Sequence, residues 1–239
     1  MKRKLAAMFL LAAIALGLGG CGSETAGAQN AGSAGDAESL QYYTELIESY
    51  SRILNGETDD CGAVAGGWLI DEVRSQDGTD KALSETDFLI EDINGDGVSE
   101  LIVGSIPDGT GYISRPSVFA LYTLNGTEPV ALADARPHSE WYLTEDCRLI
   151  NESSPGDANL MLSIFELRSG AAELSCIESY FSHVLPGGSG ETAVFRNTSG
   201  KYDADISDRT DMTVEQLRET AEKLSGERLA LPFSPFSGI

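Results

Sequence analysis

Histidine is almost missing from this chain: of 239 residues only His138 and His183 carry an imidazole, and neither belongs to an H-E-x-x-H run. A zinc hydrolase of that type is excluded, because its two ligands must stand one helical turn apart. The nucleophile elbow G-x-S-x-G is missing too, since Gly187-x-Ser189-x runs into Glu191, and residues 186–190 read as a loop. Basic residues are scarce, 16 Lys and Arg against 38 Asp and Glu, for a net charge of −22. A chain so negative repels phosphate backbones, which excludes nucleic acid as a partner and disfavours lying flat on an anionic membrane. Cysteine is sparse, with no C-x-x-C and no histidine close in sequence to Cys61, Cys147 or Cys176, so a zinc site is not expected.

The first residues are of a different kind. Lys2-Arg3-Lys4 is followed by the apolar stretch from Leu5 to Leu18. At about fourteen residues this is shorter than the roughly twenty needed to cross a bilayer and suits the hydrophobic region of a signal peptide. It ends in Leu18-Gly19-Gly20-Cys21, which resembles the lipobox of bacterial lipoproteins. The resemblance implies that Cys21 receives a diacylglyceryl group and becomes the first residue of the mature chain. Two acyl chains give stable anchoring where one does not. The spacing Gly17-x-Gly19-x-x-Gly22 matches a dinucleotide fingerprint, but no strand precedes it and no helix follows. Residues 1–20 are thus expected to be a signal peptide, 21–35 a flexible Gly/Ala/Ser tether and 36–239 a single extracytoplasmic domain.

Periodicity supplies the architecture. Leu40, Tyr43, Leu46, Ile47, Tyr50, Ile53 and Leu54 recur at three- and four-residue spacing, an amphipathic helix stopped at Asn55-Gly56. The stretch Gly66-Gly67-Trp68-Leu69-Ile70 reads as a short strand or turn. Strand pairs follow: Phe88-Leu89-Ile90 with Leu101-Ile102-Val103, and 117–124 with 130–133 across Asn125-Gly126, Pro129 pushing the second arm to an edge. Residues 141–144 with 147–150, 160–167 with 174–181, and 192–196 with 201–205 complete the hairpins. Thr213-x-x-Gln216 opens a last helix that Gly226 closes, and the tail 231–236 is expected to lie irregularly on the core. The fold class is therefore α+β: an antiparallel sheet of consecutive hairpins, with an N-terminal helix and a helix near the C-terminus. An extracellular compartment permits one disulfide among Cys61, Cys147 and Cys176, in any of three pairings, while buried free thiols serve equally well; Cys147 and Cys176 both sit in strand-like stretches.

One segment carries chemistry. In Asp92-Ile-Asn94-Gly-Asp96-Gly97-Val98-Ser-Glu100, oxygen-bearing side chains fall at alternate positions of a turn that Gly97 bends. Ca²⁺ needs six to eight oxygens gathered in this way. Val103 stands where an EF-hand places its bidentate acid, and the flanks read as strands. The segment instead resembles the D-x-[DN]-x-D-G-x-x-[DE] loops of integrin-type FG-GAP propellers. That resemblance implies that Asp92, Asn94, Asp96 and Glu100 are side-chain ligands of a structural Ca²⁺ and that Val98 offers its carbonyl. A propeller repeats the motif at each blade, and here it occurs once. The alternative is an Asx-rich turn bonded to its own backbone. At chain level the lipobox, helix, acidic loop and hairpins look like uncharacterised lipoproteins of Gram-positive gut anaerobes, a resemblance that implies a place on the outer face of the cell membrane and no activity.

The resulting expectation is a lipid-anchored binding or surface-interaction module whose ligand is an extracellular protein or a glycan. No catalytic constellation stands out, and an enzyme is the less favoured class. The rival readings are a hydrolase working through paired carboxylates, which a pocket with two close acids and one raised pKa would favour, and the solute-binding lipoprotein of a transporter, which a deep cleft between lobes would favour. If Cys21 is lipidated, mass spectrometry of the native protein shows a diacylglyceryl-bearing chain starting at residue 21, and Cys21→Ser releases the protein into the medium; a mature N-terminus elsewhere overturns the anchor.

Overall fold

The computed structural model describes residues 34–236 apart from 106, 108, 155–158 and 187–189. The signal segment, Cys21 and most of the expected tether lie outside the described residues. The first helix, α1 (Ala34–Leu54), begins within the stretch expected to be tether and ends where expected. Gly56, at φ 68°, turns the chain so that the Gly56 and Glu57 N–H groups return to the Ile53 and Arg52 carbonyls. Tyr43, Ile47, Tyr50, Ile53 and Leu54 are buried, while Leu40, placed on the same face by its spacing, is exposed.

The segment after α1 departs from expectation. Of Gly66–Ile70 only Gly66 lies in a turn: α2 (Gly67–Asp77) starts at the next residue, and α3 (Thr79–Glu85) follows at once. The reason is tertiary. Gly66 sits in the left-handed region at φ 70°, donates its N–H to Asp134 at 2.8 Å, and presses so closely on a strand that a Cβ would lie 2.4 Å from the Phe119 carbonyl oxygen. The apolar side chains that resemble a strand, Leu69, Ile70 and Val73, supply the buried face of α2.

The remainder is one antiparallel sheet of consecutive hairpins. Its strands are β1 (Thr86–Glu91), β2 (Glu100–Ser105), β3 (Ser117–Asn125), β4 (Glu128–Asp134), β5 (Ser139–Leu143), β6 (Leu149–Ser153), β7 (Met161–Leu167), β8 (Leu174–Val184), β9 (Thr192–Asn197), β10 (Asp208–Arg209) and β11 (Ser234–Pro235). Their order is β10-β9-β8-β7-β6-β5-β3-β2-β1-β11, with β4 beside β3 off this path. Pro129 is on β4, an edge arm as its missing N–H requires. Helix α4 (Val214–Ser225) carries both halves of the capping box, Thr213 and Gln216 each bonding the other's backbone.

Three local expectations are corrected. Residues 201–205 do not form a strand; Asn197 folds the turn onto Ser199 and Gly200, a 3₁₀ turn occupies Ala204–Ile206, and β9 pairs instead with β10. Cys147, expected in a strand-like stretch, lies in the β5–β6 turn at φ 59°. The tail forms the short edge strand β11 against β1 and buries Leu231 and Phe236. Cys61 and Cys176 are free thiols, so none of the three pairings among Cys61, Cys147 and Cys176 is formed.

Strand β2 lies near the middle and is buried along its whole length. Leu101 and Val103 pack with Tyr43, Tyr50 and Ile70 under the helices, whereas Ile102 points to the opposite face with Leu89, Leu121 and Leu143. Farther along the sheet, α4 covers Tyr142, Ile150, Leu162 and Val194 with Leu217 and Ala221. Buried tyrosine hydroxyls join α1 to the sheet: Tyr43 donates to the Ser99 carbonyl at 2.9 Å, and Tyr50 lies 3.0 Å from the Tyr122 hydroxyl, which accepts the Ala65 N–H.

Gly66→Ala should cost about 2–4 kcal/mol, the sum of left-handed strain and overpacking. Gly126→Ala, at φ 68° with open space around it, should cost about 1–2 kcal/mol. Chemical denaturation of the two variants checks the difference, and equal losses would show that the contact of Gly66 with β3 is not tight.

Candidate functional site

The acidic loop joins β1 to β2. Asp92 closes it: Oδ1 accepts the Gly95 and Asp96 N–H groups at 2.8 and 3.1 Å, and Oδ2 accepts Gly97 N–H at 2.7 Å. Asn94 Oδ1 accepts Asp96 N–H, and its Nδ2 is buried with no partner. Asp96 Oδ1 accepts Val98 N–H, while its Oδ2 reaches the β7–β8 turn and accepts Gly170 N–H at 2.7 Å. Gly95 and Gly97 stand at φ 75° and 87°, the conformation that lets successive N–H groups turn inward.

Glu100 behaves differently from the other acids. It is fully buried; one carboxylate oxygen takes the Thr123 hydroxyl at 2.8 Å and the other takes Ile93 N–H at 3.1 Å. Burial pushes its carboxyl up to about 7, against the pull of those two hydrogen bonds, and the charges of Asp96 and Asp92 add to the rise. The structure thus brings Asp92, Asn94 and Asp96 into one turn and sets Glu100 beneath it, facing Thr123. Among the described residues no three His, Cys, Asp or Glu side chains converge as they would around a metal ion. The donor chemistry nevertheless fits a hard cation. The oxygens of Asp92, Asp96 and Glu100 are answered here by backbone N–H groups and one hydroxyl, and each carboxylate has about four lone-pair sites.

A second site was not legible in the sequence. β4 leaves β3 after Asp134, and β5 joins the same edge at Val118, so the sheet parts there. A tight turn with His138 at φ 68° links the two strands. The parting opens a cavity of about 360 Å³, walled by Leu69 of α2, Tyr112 to Arg115, the turn at Arg136 and His138, Glu140 and Trp141 of β5, and Glu152 to Ser154.

Two acids face each other at this cavity, since Glu140 and Glu152 are register partners across β5 and β6. Such partners have Cβ atoms about 4.5–5.5 Å apart. Glu140 is held by cations: its Oε1 takes Arg228 at 2.8 Å and lies 2.9 Å from the Ser117 hydroxyl, and its Oε2 takes Arg115 at 3.2 Å. Arg228, whose side chain is 6% exposed, also reaches the Pro116 carbonyl and lies 3.8 Å above the Tyr142 ring. Glu152 accepts the Tyr142 hydroxyl. Burial raises the Glu152 carboxyl above its usual range, the Tyr142 hydroxyl and Arg228 pull it back, and Glu140 pushes it up again. One acid is thus paired with two guanidinium groups, and burial biases its neighbour toward the protonated form. The signal available in sequence was one acid beside each hairpin strand, Glu140 before Trp141 and Glu152 after Asn151, but only the register decides that Glu140 meets Glu152.

Among the described residues no helix is long and apolar enough to cross a membrane. No protein-family model, curated protein or solved structure matches the chain.

The raised Glu100 carboxyl gives a pH dependence of known sign. Its folded value lies above the ordinary 4.5, so the native state binds the extra proton between the two values and stability falls as pH rises through that window. The contribution is full below 4.5 and lost above about 7, on the order of 3 kcal/mol in all. In chelator, Glu100→Gln should therefore gain stability relative to the parent as pH rises from 5 to 8. A difference between the two proteins that stays flat over this range would show that the buried carboxyl titrates normally.

Proposed function

We propose that this chain is a lipid-anchored, extracytoplasmic binding module of a bacterial cell surface. Cys21 carries the lipid, the Gly/Ala/Ser segment after it acts as tether, and the rest is one α+β domain. Asp92, Asn94, Asp96, the Val98 carbonyl and Glu100 hold one structural Ca²⁺, which clamps the β1–β2 hairpin to the β7–β8 turn through Asp96. The observation that carries the calcium reading is the loop itself: D-x-N-x-D-G-x-x-E spacing, closed on Asp92 by three backbone N–H groups, with a buried acid beneath it and no cationic side chain among its hydrogen-bond partners. When bound, the ion supplies positive charge for three carboxylates. The binding role rests on the cavity at the parting of β4 and β5, a concave place where polar side chains converge.

A second reading has its own support. Glu140 is paired with Arg115 and Arg228, while burial biases the neighbouring Glu152 toward the acid form, two unequal environments that suit a base and an acid. In that reading the protein is a hydrolase, and Glu152→Gln abolishes turnover while leaving ligand affinity intact.

Calcium affinity should be modest, with a Kd of about 10⁻⁴ to 10⁻³ M, because the twelfth-position acid is missing. At ten times Kd, Ca²⁺ should stabilise the full-length protein by about 1.4 kcal/mol, visible as a raised Tm. Asp96→Asn keeps one acceptor oxygen, enough for Val98 or Gly170 but not both, and should remove most of this response. A Tm indifferent to millimolar Ca²⁺ and to chelator reduces the loop to a self-bonded acidic turn. For the anchor, a Cys21–Cys147 disulfide found by non-reducing peptide mapping would displace the lipid thioether and overturn that part of the reading.

A further inference from the structure

We infer that the cavity at the parting of β4 and β5 binds a neutral carbohydrate of one or two sugar rings. The inference deepens the reading of the chain as a binding module, and it is independent of the anchor and of the calcium loop.

Charge decides against ionic ligands. The cationic groups of the wall are already engaged: Arg115 pairs with Glu140 at 3.2 Å and Arg136 with Asp134 at 2.7 Å. The carboxylates are engaged as well, Glu140 by Arg228 at 2.8 Å and Glu152 by the Tyr142 hydroxyl. A phosphate, a carboxylate or an ammonium group entering here would compete with these pairs; releasing the buried Arg228 from Glu140 is costly, while the more exposed Arg115 and Arg136 pairs resist less. A hydroxyl does not face that cost. It donates and accepts at once, so it adds to the unused lone pairs of a paired carboxylate without displacing the arginine. The wall is also rich in short hydroxyl side chains, with Ser114, Ser117, Ser139, Ser153 and Ser154 around one opening.

Apolar surface decides for a ring. Trp141 lines the cavity and is braced by Phe165 at a centroid distance of 5.5 Å. Tyr112 stands at the wall with 40% of its surface exposed, a large aromatic left in water on a polar rim. Sugar rings present C–H groups on their faces and hydroxyls at their edges, so an aromatic surface can take a face while the serines and carboxylates take the edge. A volume of about 360 Å³ is at the lower end for small-molecule sites and suits a ligand of this size.

The test uses the full-length protein in detergent carrying Trp68→Phe, which leaves Trp141 as the only tryptophan of two. Trp141 fluorescence is followed while cellobiose, maltose, xylobiose, mannobiose and N,N′-diacetylchitobiose are added to roughly 10 mM, with inorganic phosphate and glutamate as ionic comparators. At least one disaccharide should give a saturable change, and Tyr112→Ala and Ser114→Leu should each weaken it by about tenfold or more with Tm unchanged. Saturation by a disaccharide that both folded variants leave unaltered overturns the site. Saturation by phosphate or glutamate alone overturns the carbohydrate assignment and leaves the binding-module reading standing. No saturable response to any of these probes overturns the carbohydrate assignment and removes the support that the cavity lends to the binding module.

Discussion

A strand buried on both faces must satisfy inside the protein every polar group it brings in, and much of this molecule is arranged around that demand on β2. Its apolar residues alternate between two clusters, one under the helices and one on the opposite face of the sheet. Its first residue is a glutamate with no access to water. Thr123 on the neighbouring strand and the Ile93 N–H of the loop are the two donors that make this tolerable. Tyr43 meets the preceding Ser99 carbonyl. The acidic loop is therefore part of the accommodation of a buried acid as well as a surface turn, and its form is constrained from below.

The same accommodation is incomplete, which connects stability to function. Two hydrogen bonds do not offset the loss of water around Glu100, so its carboxyl stays raised, and Asp92 and Asp96 aggravate it. A positive charge placed in the loop would relieve all three groups together. At the other site the balance is reversed. Arg115 and Arg228 over-supply positive charge to Glu140, and the neighbouring Glu152 shares its environment with a tyrosine hydroxyl instead. One acidic cluster lacks a cation, and the other has its charges paired. That contrast is why one site is assigned to an ion and the other to an uncharged ligand.

Much of the fold was legible because its signals are local. The capping box Thr213/Gln216, the stop at Gly56 and the turns near 126, 145, 169 and 198 follow from residues within a few positions of one another. Gly66–Ile70 was misread because two glycines before an apolar run describe a strand as well as a helix start; the close contact with Phe119, far along the chain, selects the helix. The arm at 201–205 was misread for a similar reason, since Asn197 and Asp203 bond their own backbones and spend the residues that the hairpin needed.

By itself the sequence determined the alternation and periodicity of the elements, the acidic balance of the surface, and the spacing that puts Asp92, Asn94 and Asp96 in one turn, because each depends only on the chemistry of near neighbours. Tertiary structure alone decided that Glu100 faces Thr123 inside the protein, that Asp96 reaches Gly170 across the sheet, and that Glu140 and Glu152 meet beside a cavity. Those depend on strand register and on where β4 leaves β3. A one-residue slip of β2 would turn Glu100 to the opposite face, and one of β5 or β6 would part Glu140 from Glu152.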